Sequence, residues 1–145
     1  MIGQYAHGNE PSHHISYLYA FTDEPKLGQK YIHRVLNEFH GNTPNGMIGN
    51  DDCGQMSAWY ILSTLGFYPV NPASGEFVLG SPQVKKATLH LAKNKSFSIE
   101  AKNFSEQAIY NETRLLNGKE INKPFITFQD VINGGSLIFE MIIGS

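Results

Sequence analysis

The chain is poor in cysteine, in charge and in long apolar runs, and each shortage closes off a class of protein. A single cysteine among 145 residues, Cys53, excludes an internal disulfide and a zinc knuckle built on thiolates. Charged residues make up only 17%, and 11 Lys and Arg stand against 13 Asp and Glu. That leaves no basic field to neutralise a phosphate backbone, so nucleic acid is not an expected partner. No apolar run approaches the roughly 20 residues that cross a bilayer, so no membrane span is expected. The start, Met1-Ile2-Gly3-Gln4, lacks the charged-then-apolar order of an export leader. With 41% hydrophobic residues the chain is nonetheless too apolar for a disordered segment. What remains is a globular chain of one average domain or two very small ones.

Its residues are distributed unevenly. His7, His13, His14, His33 and His40 fall in the first 40 residues and only His90 lies beyond them. Up to Ser74 six acidic side chains face three basic ones, whereas the remainder is nearly balanced. The change coincides with Pro69-Val70-Asn71-Pro72-Ala73-Ser74-Gly75, where two prolines and a glycine break regular structure. The expected organisation is therefore α+β: helices over 1–68, a linker at 69–75 and strands over 76–145.

Three helices are expected before the linker. Ile15, Leu18 and Tyr19 repeat at three and four between Ser12 and Phe21. Pro25 suits the first turn of a second helix, whose buried stripe would be Leu27, Tyr31, Val35 and Phe39. A third helix should open at Asp52, with that carboxylate capping free backbone N–H groups and Gln55 reaching back in a capping box. Met56, Trp59, Tyr60 and Leu65 would form its buried side and Gly66 its end. After the linker the period falls to two. Ala87, Leu89 and Leu91, then Phe97, Ile99 and Ala101, then Leu137, Phe139, Met141 and Ile143 alternate with other side chains. Asn117-Gly118 and Asn133-Gly134-Gly135 supply positive-φ turns. About six short antiparallel strands are expected. Roughly 70 residues on either side is marginal for an independent core, so the chain reads as part of something larger.

Two short segments concentrate the chemistry. The first is His7-Gly8-Asn9-Glu10-Pro11-Ser12-His13-His14. Asn9 and Glu10 could ligate a hard cation through oxygen or hydrogen-bond the vicinal hydroxyls of a sugar. His13 and His14 are adjacent, unlike the i,i+4 pair of a zinc helix. The plain structural alternative is that Asn9 and Ser12 cap a helix and the histidines bond locally. The second segment is Gly49-Asn50-Asp51-Asp52-Cys53-Gly54-Gln55-Met56-Ser57-Ala58-Trp59-Tyr60. A carboxylate at a helix start can act as general base on a water, and the helix N-terminus would keep it ionised. Here too, capping is the structural alternative for Asp52. Cys53 is expected to be a small packed residue, and Trp59, Tyr60, Phe67 and Tyr68 core residues rather than a sugar-stacking platform.

The strings Gly8-Asn9-Glu10-Pro11-Ser12-His13-His14, Gly49–Tyr60 and Gly66-Phe67-Tyr68-Pro69-Val70 closely resemble glycoside hydrolase family 92. These are calcium-dependent, exo-acting α-mannosidases. Gly80-Ser81-Pro82, Leu116-Asn117-Gly118-Lys119 and Gly134-Gly135-Ser136-Leu137-Ile138-Phe139-Glu140-Met141 resemble that family's C-terminal part. The resemblance covers essentially the whole chain, although family members run to several hundred residues.

It implies that the helices are the last of an (α/α)6 barrel and that the strands form a terminal β element. An N-terminal domain of the parent chain would be the missing partner. The implied activity is hydrolysis of mannose-containing glycans with inversion, an acid protonating the leaving oxygen while a base deprotonates water. Asp52 matches the base, with Asp51 or Asn50 orienting the water. Asn9, Glu10 and His13 match the sugar-binding region, and Glu10 the neighbourhood of Ca2+. The general acid would lie outside these residues, so the chain alone should not hydrolyse mannosides. The setting implied is the periplasm or cell surface of a bacterium. A carbohydrate-binding module and a purely structural C-terminal domain are the alternatives.

Overall fold

The computed structural model describes residues 2–144. The first expected helix is broken into turns: a 3-10 turn at Glu10–Ser12, then α1 at Ile15–Leu18, then a second 3-10 turn at Tyr19–Phe21. Helix α2 spans Pro25–Glu38 and begins at the proline, as expected. Its buried side is not the expected stripe, however. Gly28, Gln29, Ile32, Val35 and Leu36 are buried, whereas Leu27, Tyr31 and Phe39 sit at the margin. The reason is Gly28: a Cβ there would lie 2.7 Å from the Ser16 carbonyl oxygen and 2.8 Å from Tyr19 Cβ. The glycine is the contact point with α1, and it turns the face by one residue.

Helix α3 spans Gln55–Leu65 and stops at Gly66, whose φ of 96° is the left-handed conformation that ends helices. Met56 and Trp59 are buried as expected; Tyr60 is exposed. Directly after it come β1 (Phe67–Tyr68), β2 (Glu76–Leu79), β3 (Lys86–His90), β4 (Ser96–Lys102), β5 (Tyr110–Leu116), β6 (Lys119–Glu120), β7 (Phe125–Thr127), α4 (Phe128–Ile132) and β8 (Gly135–Ile142). The protein is thus α+β.

The strands form two sheets, ordered β1-β2-β7 and β3-β4-β8-β5-β6. The expectation of a purely antiparallel unit fails at one place: β8 runs parallel to β4, with Phe97 opposite Gly135 and Ala101 opposite Phe139. No hairpin joins these two strands. The chain leaves β4, makes β5, β6, β7 and α4, and returns into the gap between β4 and β5, a long crossover of the kind a parallel pair requires. Alternation is kept, so Phe97, Ile99, Ala101, Leu137, Phe139 and Met141 all face one core, while Ile143 is exposed.

Residues 69–75 form the turn between β1 and β2, and the strands on either side of it pair in one sheet. That small sheet is shared between two cores. Phe67 and Leu79 pack into the β cluster, whereas Tyr68 and Val78 pack with Tyr17, Ile32, Val35, Leu36 and Trp59. A buried polar chain also joins the halves: Gln29 Oε1 accepts from the Asn111 amide at 3.0 Å, and Asn111 Nδ2 donates to the Gly80 carbonyl at 2.7 Å. Among the described residues, no helix is long and apolar enough to cross a membrane.

Candidate active site

The two chemically rich segments meet, and glycines make the meeting possible. A Cβ on Gly49, whose φ is +76°, would lie 2.8 Å from the Gly8 carbonyl oxygen and 2.9 Å from Gly8 Cα. Backbone therefore crosses backbone at Gly8 and Gly49, carrying the segment after Gly8 alongside the loop that enters α3.

That loop is not the cap expected for it. Asp51, not Asp52, holds the start of α3: its carbonyl accepts from Gly54 and Met56, both at 3.2 Å, and its Oδ1 accepts from the Ser57 amide at 2.8 Å. The N-cap position belongs to Gly54, and no side chain caps there. Asp52, Cys53 and Gly54 have φ of 43°, 60° and 92°, three left-handed residues in succession. L side chains disfavour this conformation, although Asp tolerates it better than most. The turn leaves Asp52 and Cys53 exposed, so Cys53 is not the packed residue expected. Gln55 does not reach back either. Its Nε2 lies 3.2 Å from His13 Nδ1 and donates to the Tyr68 hydroxyl at 3.0 Å.

Asp52 instead meets Glu10. Interaction between the two carboxyl groups pulls Glu10 below the ordinary carboxylate range and pushes Asp52 above it. Asp52 is thus raised by the neighbouring carboxylate, not lowered as a place at a helix N-terminus would lead one to expect. One Glu10 oxygen, Oε1, is closed off from solvent without a hydrogen-bond partner. Asn9 and Asn50 are both exposed.

His13 lies behind this pair rather than in it. It is only 1% exposed, with Nε2 3.0 Å from the His7 carbonyl and Nδ1 at Gln55, so neither nitrogen is available to a sugar. Its own carbonyl accepts from Trp59 Nε1 at 3.0 Å. His7 is fully buried, stacked on His13 with ring centres 4.6 Å apart and set edge-on to Trp59 at 4.2 Å. His40 closes the group at 5.4 Å from His7. Burial holds all three imidazoles below their ordinary pKa, His7 as far as about 3. They form a neutral platform under the site. Residue spacing gave no sign of His40 or of the Gln55 bridge, because both contacts are tertiary. The structural alternative of capping is also resolved: the Asn9 side chain caps no helix, and the Ser12 hydroxyl donates to the Ala6 and Asn9 carbonyls, both at 2.8 Å.

The sequence matches the profile of the glycosyl hydrolase family 92 catalytic domain over residues 1–142. The chain belongs to glycoside hydrolase family 92. The match runs through the strands as well as the helices. The fold is similar to that of a family 92 α-mannosidase from Bacteroides thetaiotaomicron, with a TM-score of 0.92 and 43% identity over 97% of this chain and 19% of that one. It is also similar to an inverting family 92 mannosidase of Bacteroides thetaiotaomicron VPI-5482, with a TM-score of 0.88 and 39% identity over 97% and 19% of the two chains. A protein of Arthroderma benhamiae named an uncharacterized secreted glycosidase is 29% identical over 94% of this chain and 18% of its own length. The chain thus spans about a fifth of the length of these relatives.

Proposed function

We propose that the chain is the C-terminal part of an exo-acting α-mannosidase that cleaves mannose-containing glycans with inversion, and that Asp52 is its general base. The observation that carries this reading is the meeting of Asp52 with Glu10 on an exposed, left-handed turn. A carboxylate beside another carboxylate holds its proton more tightly, which makes it a stronger base toward a water once ionised. Asp52 would take the proton of a water as its oxygen attacks the anomeric carbon, while an acid outside these residues protonates the departing oxygen. Asp51, with one oxygen engaged on α3, and Asn50 are left to orient that water. Asn9 and Glu10 would receive the hydroxyls of the terminal sugar. The helices would complete an (α/α)6 barrel with a missing N-terminal partner, in a protein exported to a bacterial periplasm or cell surface.

The donor chemistry suits Ca2+. The orphaned Oε1 of Glu10 is a hard oxygen of the type this ion prefers. No cluster of three or more His, Cys, Asp or Glu surrounds a common point among the described residues, so Glu10 would supply only part of the shell. When bound, the ion would polarise and orient sugar hydroxyls.

The test is turnover of an aryl α-mannoside by the complete polypeptide and by this chain alone. We expect activity only in the former, and its loss in Asp52→Asn with the fold retained. Asparagine keeps both the size and the left-handed tolerance of the position, so a stable Asp52→Asn enzyme with ordinary turnover would dismiss Asp52 as base.

A further inference from the structure

Away from the carboxyl pair, a cavity of about 420 Å³ opens where α2 meets β5. Its lining includes Lys26, Gln29, Gly80, Asn111, Glu112 and Arg114. Gln29 and Asn111 are spent on joining the halves, as described above, and they make the back wall rigid. Arg114 is not spent. The one ion pair among the described residues is Arg34–Glu38, and the Arg114 guanidinium has neither a carboxylate within 4.0 Å nor a hydrogen-bonded acceptor there. It is partly buried all the same, and burial without a counter-charge pulls it below its ordinary pKa. Its nitrogens still reach solvent, so the guanidinium is open to an incoming anion, which would take up donors that no protein acceptor uses.

The strand is also irregular at this point. Residues 111 and 114 are an odd number apart, which in a regular strand would send them to opposite faces. The pairing of β5 with β8 slips between Asn111 and Thr113, so that Glu112 is the extra residue of a bulge. The slip resets the alternation and brings Asn111, Glu112 and Arg114 round one cavity. Bulges that re-aim side chains in this way are common beside functional sites. Lys26 adds a second cation from α2, its ammonium 6.0 Å from the centre of the Tyr110 ring. Two cations face one carboxylate across the cavity.

We propose that this cavity binds a compact oxyanion, of the kind a phosphate or a sugar carboxylate presents, with Arg114 as its principal ligand and Lys26 as its second. Such a site is independent of the hydrolytic reading, and either can fail without the other.

The probes are inorganic phosphate and glucuronate, titrated into the complete polypeptide at fixed ionic strength against sodium chloride, with neutral glucose as control. Binding is read by calorimetry and by the thermal unfolding midpoint, which rises with any ligand selective for the folded state. We expect a saturable response to phosphate, to glucuronate or to both, weakened about tenfold or more in Arg114→Met through loss of charge-assisted hydrogen bonds. A smaller loss is expected in Lys26→Met. Which of the two anions binds separates an isolated phosphate from an acidic sugar as the source. Lys86→Gln, on a distant exposed strand, should bind as the parent does. Equal affinity in the parent and both variants, a response no greater than that to chloride, or an equal response to neutral glucose would each overturn the proposal. Lys26 is exposed and its variant keeps the test decisive if Arg114→Met is poorly folded.

Discussion

Replacing Gly49 by alanine puts the crossing of the two site segments under direct strain. Two separate costs arise. The backbone at Gly49 has a φ of +76°, where an L side chain costs about 1–2 kcal/mol. The added carbon would then sit 2.8 Å from the Gly8 oxygen and 2.9 Å from Gly8 Cα. Both are backbone atoms and cannot swing aside, so the segments must part, and overpacking of this sort costs about 1–3 kcal/mol. The sum is about 2–5 kcal/mol, a large share of the roughly 5–15 kcal/mol that typically holds a domain together. Gly54→Ala separates the two contributions. Gly54 has a φ of +92° but nothing within 4 Å of its would-be Cβ. It should therefore lose only the backbone cost, about 1–2 kcal/mol. Gly8→Ala, with its nearest contact at 3.4 Å, should stay within about 1 kcal/mol of the parent. Urea unfolding of the three variants measures all of this. If Gly49→Ala is no less stable than Gly54→Ala, the close crossing at Gly8 is not what fixes the loop.

Three further outcomes are expected. His7 is held neutral down to about pH 3 by burial, with His13 and His40 facing it, whereas an unfolded histidine takes its proton near 6.5. The unfolded chain thus binds more protons between those values, and stability should fall as the pH drops from about 6.5 toward 3, by at most about 1.4 kcal/mol per unit for this histidine. Unfolding midpoints at several pH values check it, and a slope unchanged in His7→Gln would refute the assignment. Gln29→Leu strands the buried Asn111 amide and should cost about 1–3 kcal/mol in denaturant unfolding; a neutral result would mean that the halves do not depend on this bond. In the complete enzyme, Glu10→Gln removes the carboxyl partner whose hydrogen bonding and charge raise Asp52, so the acid limb of the kcat/KM profile should move to lower pH. A limb that stays in place, or moves up, would separate Asp52 from the titration.

Local signals carried much of this molecule. Pro25 and Gly66 mark where α2 begins and α3 ends, and the two-residue period of Phe97–Ala101 and Leu137–Met141 reports their shared core face. What escaped was decided between elements rather than within them. The buried face of α2 depends on Gly28 against α1, which a hydrophobic count cannot register because glycine has no side chain to count. The parallel union of β4 and β8 depends on where a long excursion returns. In the site, both segments were visible as strings, and Asp51-Asp52 as a pair, but the division of labour between them was not. A carboxylate next to a helix start looks like a cap, and only the three left-handed residues after Asp51 show that the first aspartate caps and the second is released toward Glu10.

That release is braced from the residue that follows the turn. The brace is Gln55, fixed at one end by α3 and at the other by His13 and Tyr68. A histidine serves there where a phenylalanine of similar shape would not. The His7 carbonyl can only accept, so His13 Nε2 carries the hydrogen and Nδ1 is left as the acceptor that Gln55 requires. An apolar ring would fill the space and leave both partners unpaired, at about 1–3 kcal/mol for each buried group. Protonating the ring would do comparable harm on the other side, turning the acceptor at Nδ1 into a donor aimed at the Gln55 amide. The burial that keeps His13 neutral is therefore what allows the hydrogen bonds on both its nitrogens to exist together, and through Gln55 it bears on the position of Asp52.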